Sequence, residues 1–382
     1  MKHQPDFFAE DIVIPDIVQQ KADEAFALIQ KKGKSMAKKK QHRTTLSFKR
    51  QAAAVICVCV LAAGGITAAA AIRHFWSRGM QGAVQATPEQ QQTLTDQGVA
   101  EVLNETPDYT ALSVTNQSIT VTPETVIVDN HFAHISFSVK GFVPGENAEP
   151  GFETISVYTG ASPGSEDGWI NSSASFYNGI LADENGMPAY DDGTPLQYDE
   201  NGGILPRYFD GDGSLEYILS VSVSDAEESL LGQTLHVELH NLGTVSKADF
   251  ASAASGTWSF DLRLPSVSSS VTIPVQKPVD GTVFTIDSIE LSPISARLSY
   301  VVNGDVVMSA DDNGIPSFSG VVLKDGTRLP YLGDMGNSSY TDDSMSAAYV
   351  LSAFDRVIDP TQVASLLLVA EPGSGMVEVP LH

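Results

Sequence analysis

The sequence lacks cysteine outside one short apolar stretch and has little positive charge beyond its first 50 residues. The chain has 382 residues, and its two cysteines, Cys57 and Cys59, both lie in that stretch. A disulfide framework is therefore excluded for the rest of the chain, which must be stabilised by packing. Lysine and arginine total 22 against 47 aspartates and glutamates, a net charge of −25. This balance argues against nucleic-acid binding, because phosphate contacts require a basic surface.

The sequence also offers little that supports catalysis or a bound cofactor. It has no glycine-rich phosphate loop followed by Lys-Ser or Lys-Thr. The run His236-Val-Glu-Leu-His240 matches a zinc protease motif only in its histidine spacing, because that motif needs Glu directly after the first histidine, on a helix. Its alternation predicts a strand with His236, Glu238 and His240 on one polar face. We predict that His131 and His134 are surface or half-buried residues and that the protein is not an enzyme.

One segment is free of charge and long enough to cross a membrane. Ala52–Ile72 contains 21 uncharged residues, close to the ~20 that span a bilayer as a helix. Six basic residues precede it closely and two follow, which predicts a cytoplasmic N-terminus and an extracytoplasmic C-terminal part. We therefore predict a transmembrane helix over 51–72, with the lipid bilayer as a partner and the cell membrane as location. The alternative is a cleaved signal peptide, with Ala68–Ala71 supplying the small residues of the cleavage site.

The N-terminal 50 residues have a composition opposite to that of the rest. Residues 1–50 carry a net charge of +5, whereas residues 73–382 carry −30. Residues 11–30 predict an amphipathic helix, and residues 31–50 predict a basic tether near anionic lipids. A lone helix cannot bury its apolar stripe, so we predict that the stripe binds a cytoplasmic partner. Its residues are Ile14, Val18, Ala22, Ala25 and Ile29.

Beyond the membrane segment, the sequence predicts a short helical region and then strands. In the juxtamembrane segment 73–106, Thr87-Pro88-Glu89-Gln90 is a helix-start signal, and we predict a helix over 88–104. After residue 106 the period changes to alternation, with Gly, Pro, Asn and Asp clusters between short runs, typical of antiparallel strands. We predict two β-sandwich-like domains over 107–278 and 279–382, the first of them either a sandwich or barrel-like. Val363–Val369 fits either a strand or a short helix.

The acidic, glycine-rich loops are the one candidate for metal binding. Carboxylates are hard oxygen ligands suited to calcium, and glycine lets a loop fold around a cation. Asp-Gly and Asn-Gly are also common hairpin turns, and no stretch carries a complete twelve-residue calcium loop. Turns are therefore the competing interpretation. The candidate calcium ligands are Asp183, Asp191, Asp199, Asp210 and Asp212.

A set of short segments along most of the chain carries a family resemblance. The segments are Ala70–Gly79, Ala86–Gln92, Asn116–Thr122, Gly256–Phe260, Leu323–Pro330 and Phe354–Asp359. From about residue 50 to 370, the chain resembles the Gram-positive domain-of-unknown-function family 4179, whose members are anti-sigma-factor-like, single-pass membrane proteins with extracytoplasmic β domains. The resemblance implies a regulator with a sigma factor as cytoplasmic partner, and it assigns no catalytic residue.

Two functional hypotheses follow. In the first, the outer β domains sense or bind an envelope ligand, and the inner helix contacts a cytoplasmic sigma factor or another regulator. In the second, the protein is an extracytoplasmic binding or structural module of the envelope, and the cytoplasmic segment serves topology alone.

Overall fold

The fold is described from a computed structural model. It covers residues 76–103, 112–145, 148–160, 170–183, 186–246, 249–306, 308, 313–371 and 373–381. These residues all belong to one compact unit. The predicted cytoplasmic segment 1–50 and the predicted membrane helix 51–72 lie outside them. Within the ranges just given, no helix combines the length and the apolar character needed to cross a bilayer.

The described residues form a mainly β structure with antiparallel sheets, as the alternation predicted. The helices are α1 (Arg78–Ala83) and α2 (Pro88–Asp96), and a 3-10 helix covers Pro360–Gln362. The strands are β1 (Ala100–Val102), β2 (Val114–Asn116), β3 (Ile119–Val128), β4 (Phe132–Lys140), β5 (Glu149–Thr159), β6 (Ile170–Phe176), β7 (Ile180–Ala182), β8 (Pro188–Tyr190), β9 (Leu215–Val223), β10 (Thr234–Ser246), β11 (Asp249–Arg263), β12 (Val271–Pro278), β13 (Phe284–Leu291), β14 (Ser295–Val302), β15 (Ser317–Leu323), β16 (Arg328–Leu329), β17 (Gly333–Tyr340), β18 (Ala347–Phe354), β19 (Val363–Val369) and β20 (Met376–Pro380).

The first sandwich packs two sheets face to face. One sheet has the order β1-β3-β4-β9-β6, with β2 also paired to β3, and the other has the order β11-β10-β5. Phe137 and Leu219 from the first sheet meet Val237 and Trp258 from the second in one buried core. The Trp258 indole donates a hydrogen bond to the Ile119 carbonyl at 3.1 Å, so this large side chain buries its ring without leaving its N–H unpaired.

The second sandwich is built in the same way from later strands. Its sheets have the orders β12-β13-β14-β18-β17 and β16-β15-β19-β20, and they enclose a core that includes Ile289, Leu298, Val321 and Leu366. The strand β12 lies inside the range predicted for the first domain, yet it pairs with β13 of the second sandwich. The strand β19 follows the 3-10 helix directly, so the strand interpretation of Val363–Val369 is confirmed.

The strand β18 belongs to both cores. Ala348, Val350 and Phe354 point into the core of the second sandwich, whereas the alternate residues Tyr349 and Leu351 join the core of the first. A strand buried on both faces reads as a continuous apolar run, and Ala347–Phe354 has that character. The two sandwiches therefore share one strand as a common wall.

The predicted helix over 88–104 starts where expected and ends early. Thr87 and Gln90 form the capping box, each side chain accepting a hydrogen bond from the other's backbone N–H. The helix stops at Asp96, and Gly98 adopts a φ of +73°, which glycine tolerates without strain. The segment after it becomes β1, which pairs with β3, so the predicted C-terminal half of the helix is wrong. The apolar residues there are buried by sheet pairing instead.

Candidate functional site

The residues that follow the predicted membrane segment are fastened to the β structure. We call Trp76–Ala86, which includes α1, the clasp. It packs against β4 and β9, on the face of the first sheet turned away from its core, here called the outer face. Trp76, Met80 and Val84 are buried, together with Ile127 of β3 and Val357 that precedes the 3-10 helix. The clasp therefore contacts both sandwiches through one apolar cluster.

Two glycines allow α1 to approach the sheet closely. A Cβ atom on Gly79 would lie 2.5 Å from the Glu216 carboxylate, and one on Gly82 would lie 2.2 Å from the Tyr177 ring. Both distances are well below any real carbon contact, so a larger residue at either position must displace the helix or the side chain that it meets. The spacing of three residues puts both glycines on one face of α1.

Arg78 anchors the clasp to the loops between β6 and β9. Its Nε donates to the Asp191 carboxylate at 2.6 Å, and its Nη atoms donate to the carbonyls of Arg207 at 2.8 Å and Phe209 at 3.2 Å. The Tyr177 hydroxyl donates to the same Asp191 oxygen atom at 3.2 Å. Burial, together with the nearby Asp191 charge, raises the pKa of Tyr177 well above its usual value. The hydroxyl therefore stays protonated and acts as a donor.

Glu216 is a buried carboxylate beneath the start of α1. Its side chain accepts a hydrogen bond from the Gly79 N–H at 2.5 Å, and only 2% of the residue is exposed. Burial raises the pKa of Glu216 to about 7, and the negative charges of Glu124 and Asp210 add to the rise. The hydrogen bonds from Ser77 and Gly79 oppose the shift, because they favour the charged form.

The end of the clasp is bonded to the second sandwich. The Gln85 N–H donates to the Asp355 carbonyl, and the Val357 N–H donates to the Gln85 carbonyl, each at 2.8 Å. The Gln85 side chain also donates to the Ala182 carbonyl of β7 at 2.7 Å. The clasp, the second sandwich and the hairpin of β7 and β8 therefore meet at Gln85.

The outer face beneath the clasp is polar yet buried. His134 and Ser136 of β4 are 2% and 0% exposed. His131 is 5% exposed, so the prediction that His131 and His134 are surface or half-buried residues is wrong. His134 Nδ1 lies 2.9 Å from the Ser220 hydroxyl, and burial lowers the pKa of His134 to about 4. Among the described residues, several buried polar atoms in this region lack a hydrogen-bond partner; these are Trp76 Nε1, Thr125 Oγ1, His134 Nε2 and Ser136 Oγ.

A cleft of about 440 Å³ opens where the clasp, the first sheet and the second sandwich meet. We call it the junction cleft. Its lining residues are Gly82, Ala83, Ser173, Ala174, Ser175, Tyr177, Ile218, Ser220, Asp334 and Met335. A second cleft, of about 560 Å³, lies between β1 and the end of β11. Its lining includes Leu103 and Leu112, and residues 104–111 between them in the sequence are outside the described ranges.

The candidate calcium ligands are spread over separate turns. Asp183, Asp199 and Asp210 each accept hydrogen bonds from the backbone of their own turn, which stabilises the turn locally. Asp191 pairs with Arg78, and Asp212 accepts from Lys140 at 2.7 Å and from Ser214. In the part of the chain described here, no group of three or more His, Cys, Asp or Glu side chains is placed to hold a metal ion. Calcium binding stays a prediction.

The histidines of the zinc-like run lie on a strand, as predicted. In β10 the residues His236, Glu238 and His240 are half-buried and alternate with fully buried leucine and valine. His236 pairs with Asp261 at 2.6 Å and His240 with Thr257 at 3.0 Å on the neighbouring strand. Each histidine thus has its own cross-strand partner. The predicted partner-binding stripe of residues 14–29 lies outside the described residues.

The clasp residues carried no strong motif in the sequence. Arg78 and Gln85 are single polar residues whose partners Asp191 and Val357 lie far away in the sequence, and only the fold brings them together. One local signal was present: the spacing of Gly79 and Gly82 in a short helix predicts a close helix–sheet contact. The prediction that His134 is a surface or half-buried residue gave no indication that a second element covers this face of β4.

Comparisons with known proteins give little guidance. No protein-family model matches the chain, and no curated protein sequence matches it. Among solved structures, the chain is similar to a conserved domain protein from Bacillus anthracis, with 12% identity and a TM-score of 0.38 over 70% of this chain and 79% of that one. It is also aligned with the CupB6 tip adhesin from Pseudomonas aeruginosa, with 12% identity and a TM-score of 0.15 over 70% of this chain and 88% of that one. Neither TM-score is high enough to carry an argument about function.

Proposed function

We propose that this protein is a single-pass regulator of a bacterial envelope. The β sandwiches lie outside the cell and sense or bind a ligand, and the predicted helix spans the membrane. The inner amphipathic helix contacts a cytoplasmic partner, in the manner of an anti-sigma factor. The sequence supports the topology through its uncharged segment and the basic residues before it. It supports a partner through the apolar stripe of the inner helix.

The observation that carries this proposal is the attachment of the clasp. The described chain begins at Trp76, four residues after the predicted membrane helix, and Trp76 is already buried. Burying Trp76, Met80 and Val84 contributes roughly 1.5–3 kcal/mol per side chain. A flexible linker would isolate the outer structure from the membrane helix. An anchored clasp instead transmits a displacement of either sandwich to the chain that enters the membrane.

The test examines the inner helix in the full-length chain. The stripe variant carries Ile14→Glu, Val18→Glu and Ile29→Glu. The matched control carries Gln19→Glu, Gln20→Glu and Gln30→Glu, which add the same charges at positions outside the apolar stripe of the predicted helix. Each chain is expressed in the native cells, crosslinked at the membrane and purified, and the captured proteins are identified by mass spectrometry.

We expect the wild type and the control to capture a sigma factor or another cytoplasmic regulator, and the stripe variant to lose it. Equal capture by all three chains, or capture by none, would instead favour an envelope-binding module whose cytoplasmic segment serves topology alone. Protease added to intact protoplasts tests the topology separately. Failure of the protease to digest the outer region would reject both candidates.

A further inference from the structure

The geometry points to the junction cleft as a binding site for a small molecule that carries an ammonium group and hydroxyl groups. The site itself stands on the contacts described below. Its role as the input to the clasp rests on the proposed function.

Three separate parts of the fold form the walls of this cleft. Gly82 and Ala83 belong to the clasp, Ser220 belongs to the first sheet, and Asp334 and Met335 belong to β17 of the second sandwich. A molecule in the cleft would touch all three parts at once. Its volume of about 440 Å³ lies within the ~300–1,000 Å³ of typical small-molecule sites, and it is large enough for a monosaccharide.

The charge of the cleft selects a cation. The lining includes no lysine, arginine or histidine, and its one charged side chain is Asp334. Desolvation by neighbouring protein atoms and repulsion from Asp355 raise the pKa of the Asp334 carboxyl. Asp355 is itself paired with Arg356 at 2.7 Å, so that guanidinium is already engaged. An ammonium group beside Asp334 would offset the repulsion, whereas an anionic ligand would increase it.

Hydroxyl groups and one ring complete the lining. The side chains of Ser173 and Ser175 each supply a hydroxyl that can donate and accept hydrogen bonds, and the Ser220 hydroxyl, which also bonds to His134 Nδ1 at 2.9 Å, can form a further one. Ser173 and Ser220 are directly opposite each other on β6 and β9, so two hydroxyls lie on the same side of the sheet. Tyr177 contributes its ring, because its own hydroxyl donates to Asp191. This set matches a polar molecule with several hydroxyls and one positive charge.

The test compares two sugars that differ by one charged group. Glucosamine carries an ammonium where glucose carries a hydroxyl. Binding to the full-length chain in detergent micelles is measured by saturation-transfer-difference NMR near neutral pH. We expect glucosamine to bind about fivefold more tightly than glucose, since a partly exposed ion pair is worth up to ~1 kcal/mol.

Two substitutions locate the site. Asp334→Asn should reduce the affinity for glucosamine to that for glucose. The control Asp280→Asn, at an exposed residue outside the cleft lining, should leave both affinities unchanged. Ser173→Tyr places a bulky ring at the cleft and should weaken the binding of both sugars. Equal binding of the two sugars, no binding of glucosamine, or an Asp334→Asn variant that still prefers glucosamine would overturn the proposal.

The outcome is independent of the crosslinking experiment on the inner helix. Asp334→Asn should capture the cytoplasmic partner as the wild type does in the absence of ligand. Loss of sugar discrimination with normal partner capture would therefore support the cleft, and loss of partner capture by the stripe variant with normal sugar binding would support the regulator.

Discussion

The strands β4 and β18 are both buried on two faces, and they achieve this with opposite chemistry. β18 presents apolar residues to both cores, with Leu351 on one side and Val350 on the other. β4 presents Ile135 and Phe137 to the core of the first sandwich, but His134 and Ser136 lie beneath the clasp. The comparison shows that an alternating pattern does not by itself mark a solvent-exposed face.

The two buried faces differ in what they contribute to stability. Apolar residues on β18 gain free energy when water leaves them. The polar face of β4 loses hydrogen bonds to water, and each buried polar atom left without a partner costs about 1–3 kcal/mol. The clasp therefore stays in place through its apolar residues, such as Trp76 and Met80, and through the hydrogen bonds of Arg78, Gly79 and Gln85, rather than through the polar side chains of β4. Burial of the outer face of the first sheet therefore contributes less to stability than burial of the apolar faces of β18.

The largest effect is expected on the shared wall. Leu351→Ala should lower the free energy of unfolding by about 2–5 kcal/mol, because it leaves a cavity in the core of the first sandwich. Urea unfolding of the full-length chain, followed by tryptophan fluorescence, measures this. The control Val301→Ala, at a position 42% exposed on β14, should cost far less. Similar losses for both variants would contradict the two-sided burial of β18.

A smaller, pH-dependent effect is expected beneath the clasp. The folded protein keeps the Glu216 proton up to about pH 7, whereas the unfolded chain releases it near 4.5. Stability from this group is therefore fully present below pH 4.5 and is lost as the pH rises to 7. The size of the change is roughly 3 kcal/mol at ~1.4 kcal/mol per pKa unit. Glu216→Gln should remove it.

The measurement is the difference in unfolding free energy between the wild type and Glu216→Gln from pH 4 to 8. The comparison of the two proteins is needed because His134 also titrates in this range. Its lowered pKa gives a contribution to stability that falls as the pH drops from 6.5 towards 4. The two groups oppose each other between pH 4.5 and 6.5, so the wild type alone should change little there. A difference that stays constant across the range would show that Glu216 does not titrate.

The smallest effect is expected at a single hydroxyl on the polar face. Ser136→Ala removes a buried hydroxyl that has no partner among the described residues, and the unfolding free energy should be unchanged or slightly higher. Ser295→Ala is the contrasting variant, because its buried hydroxyl donates to the Asp129 carboxylate. Its loss should cost about 1–3 kcal/mol in the same urea titration. Equal effects at both serines would mean that Ser136 also has a partner.

Strong alternation predicted most of the sheet structure. His134–Val139, Tyr217–Val223 and Leu235–Leu239 all lie in strands, as the alternation of apolar and polar residue types in their sequences predicted. The start of α2 was predictable from its cap. The strand β17 was missed because Gly333–Tyr340 has no apolar alternation, and it is held mainly by pairing with β18. The short apolar run 306–308 also predicts a strand, yet neither Val306 nor Met308 lies in one.

The candidate site was much less predictable than the sheets. Its contacts join Arg78 to Asp191, Glu216 to Gly79 and Gln85 to Val357, all over long separations in the sequence. Local patterns carry information on periodicity and turns but none on which distant elements meet. In the acidic loops, composition alone suggested a metal site, whereas the structure shows that several of these aspartates accept hydrogen bonds within their own turns.

The shared strand β18 has a consequence for biosynthesis. All the strands of the first sandwich's own two sheets have been synthesised once the ribosome has passed Arg263. The residues that complete its core, Tyr349 and Leu351, are synthesised only about 85 residues later. Nascent chains of intermediate length therefore expose an unfinished apolar wall while translation continues. Truncation before residue 347 should therefore leave a product that aggregates, because the apolar wall stays unfinished.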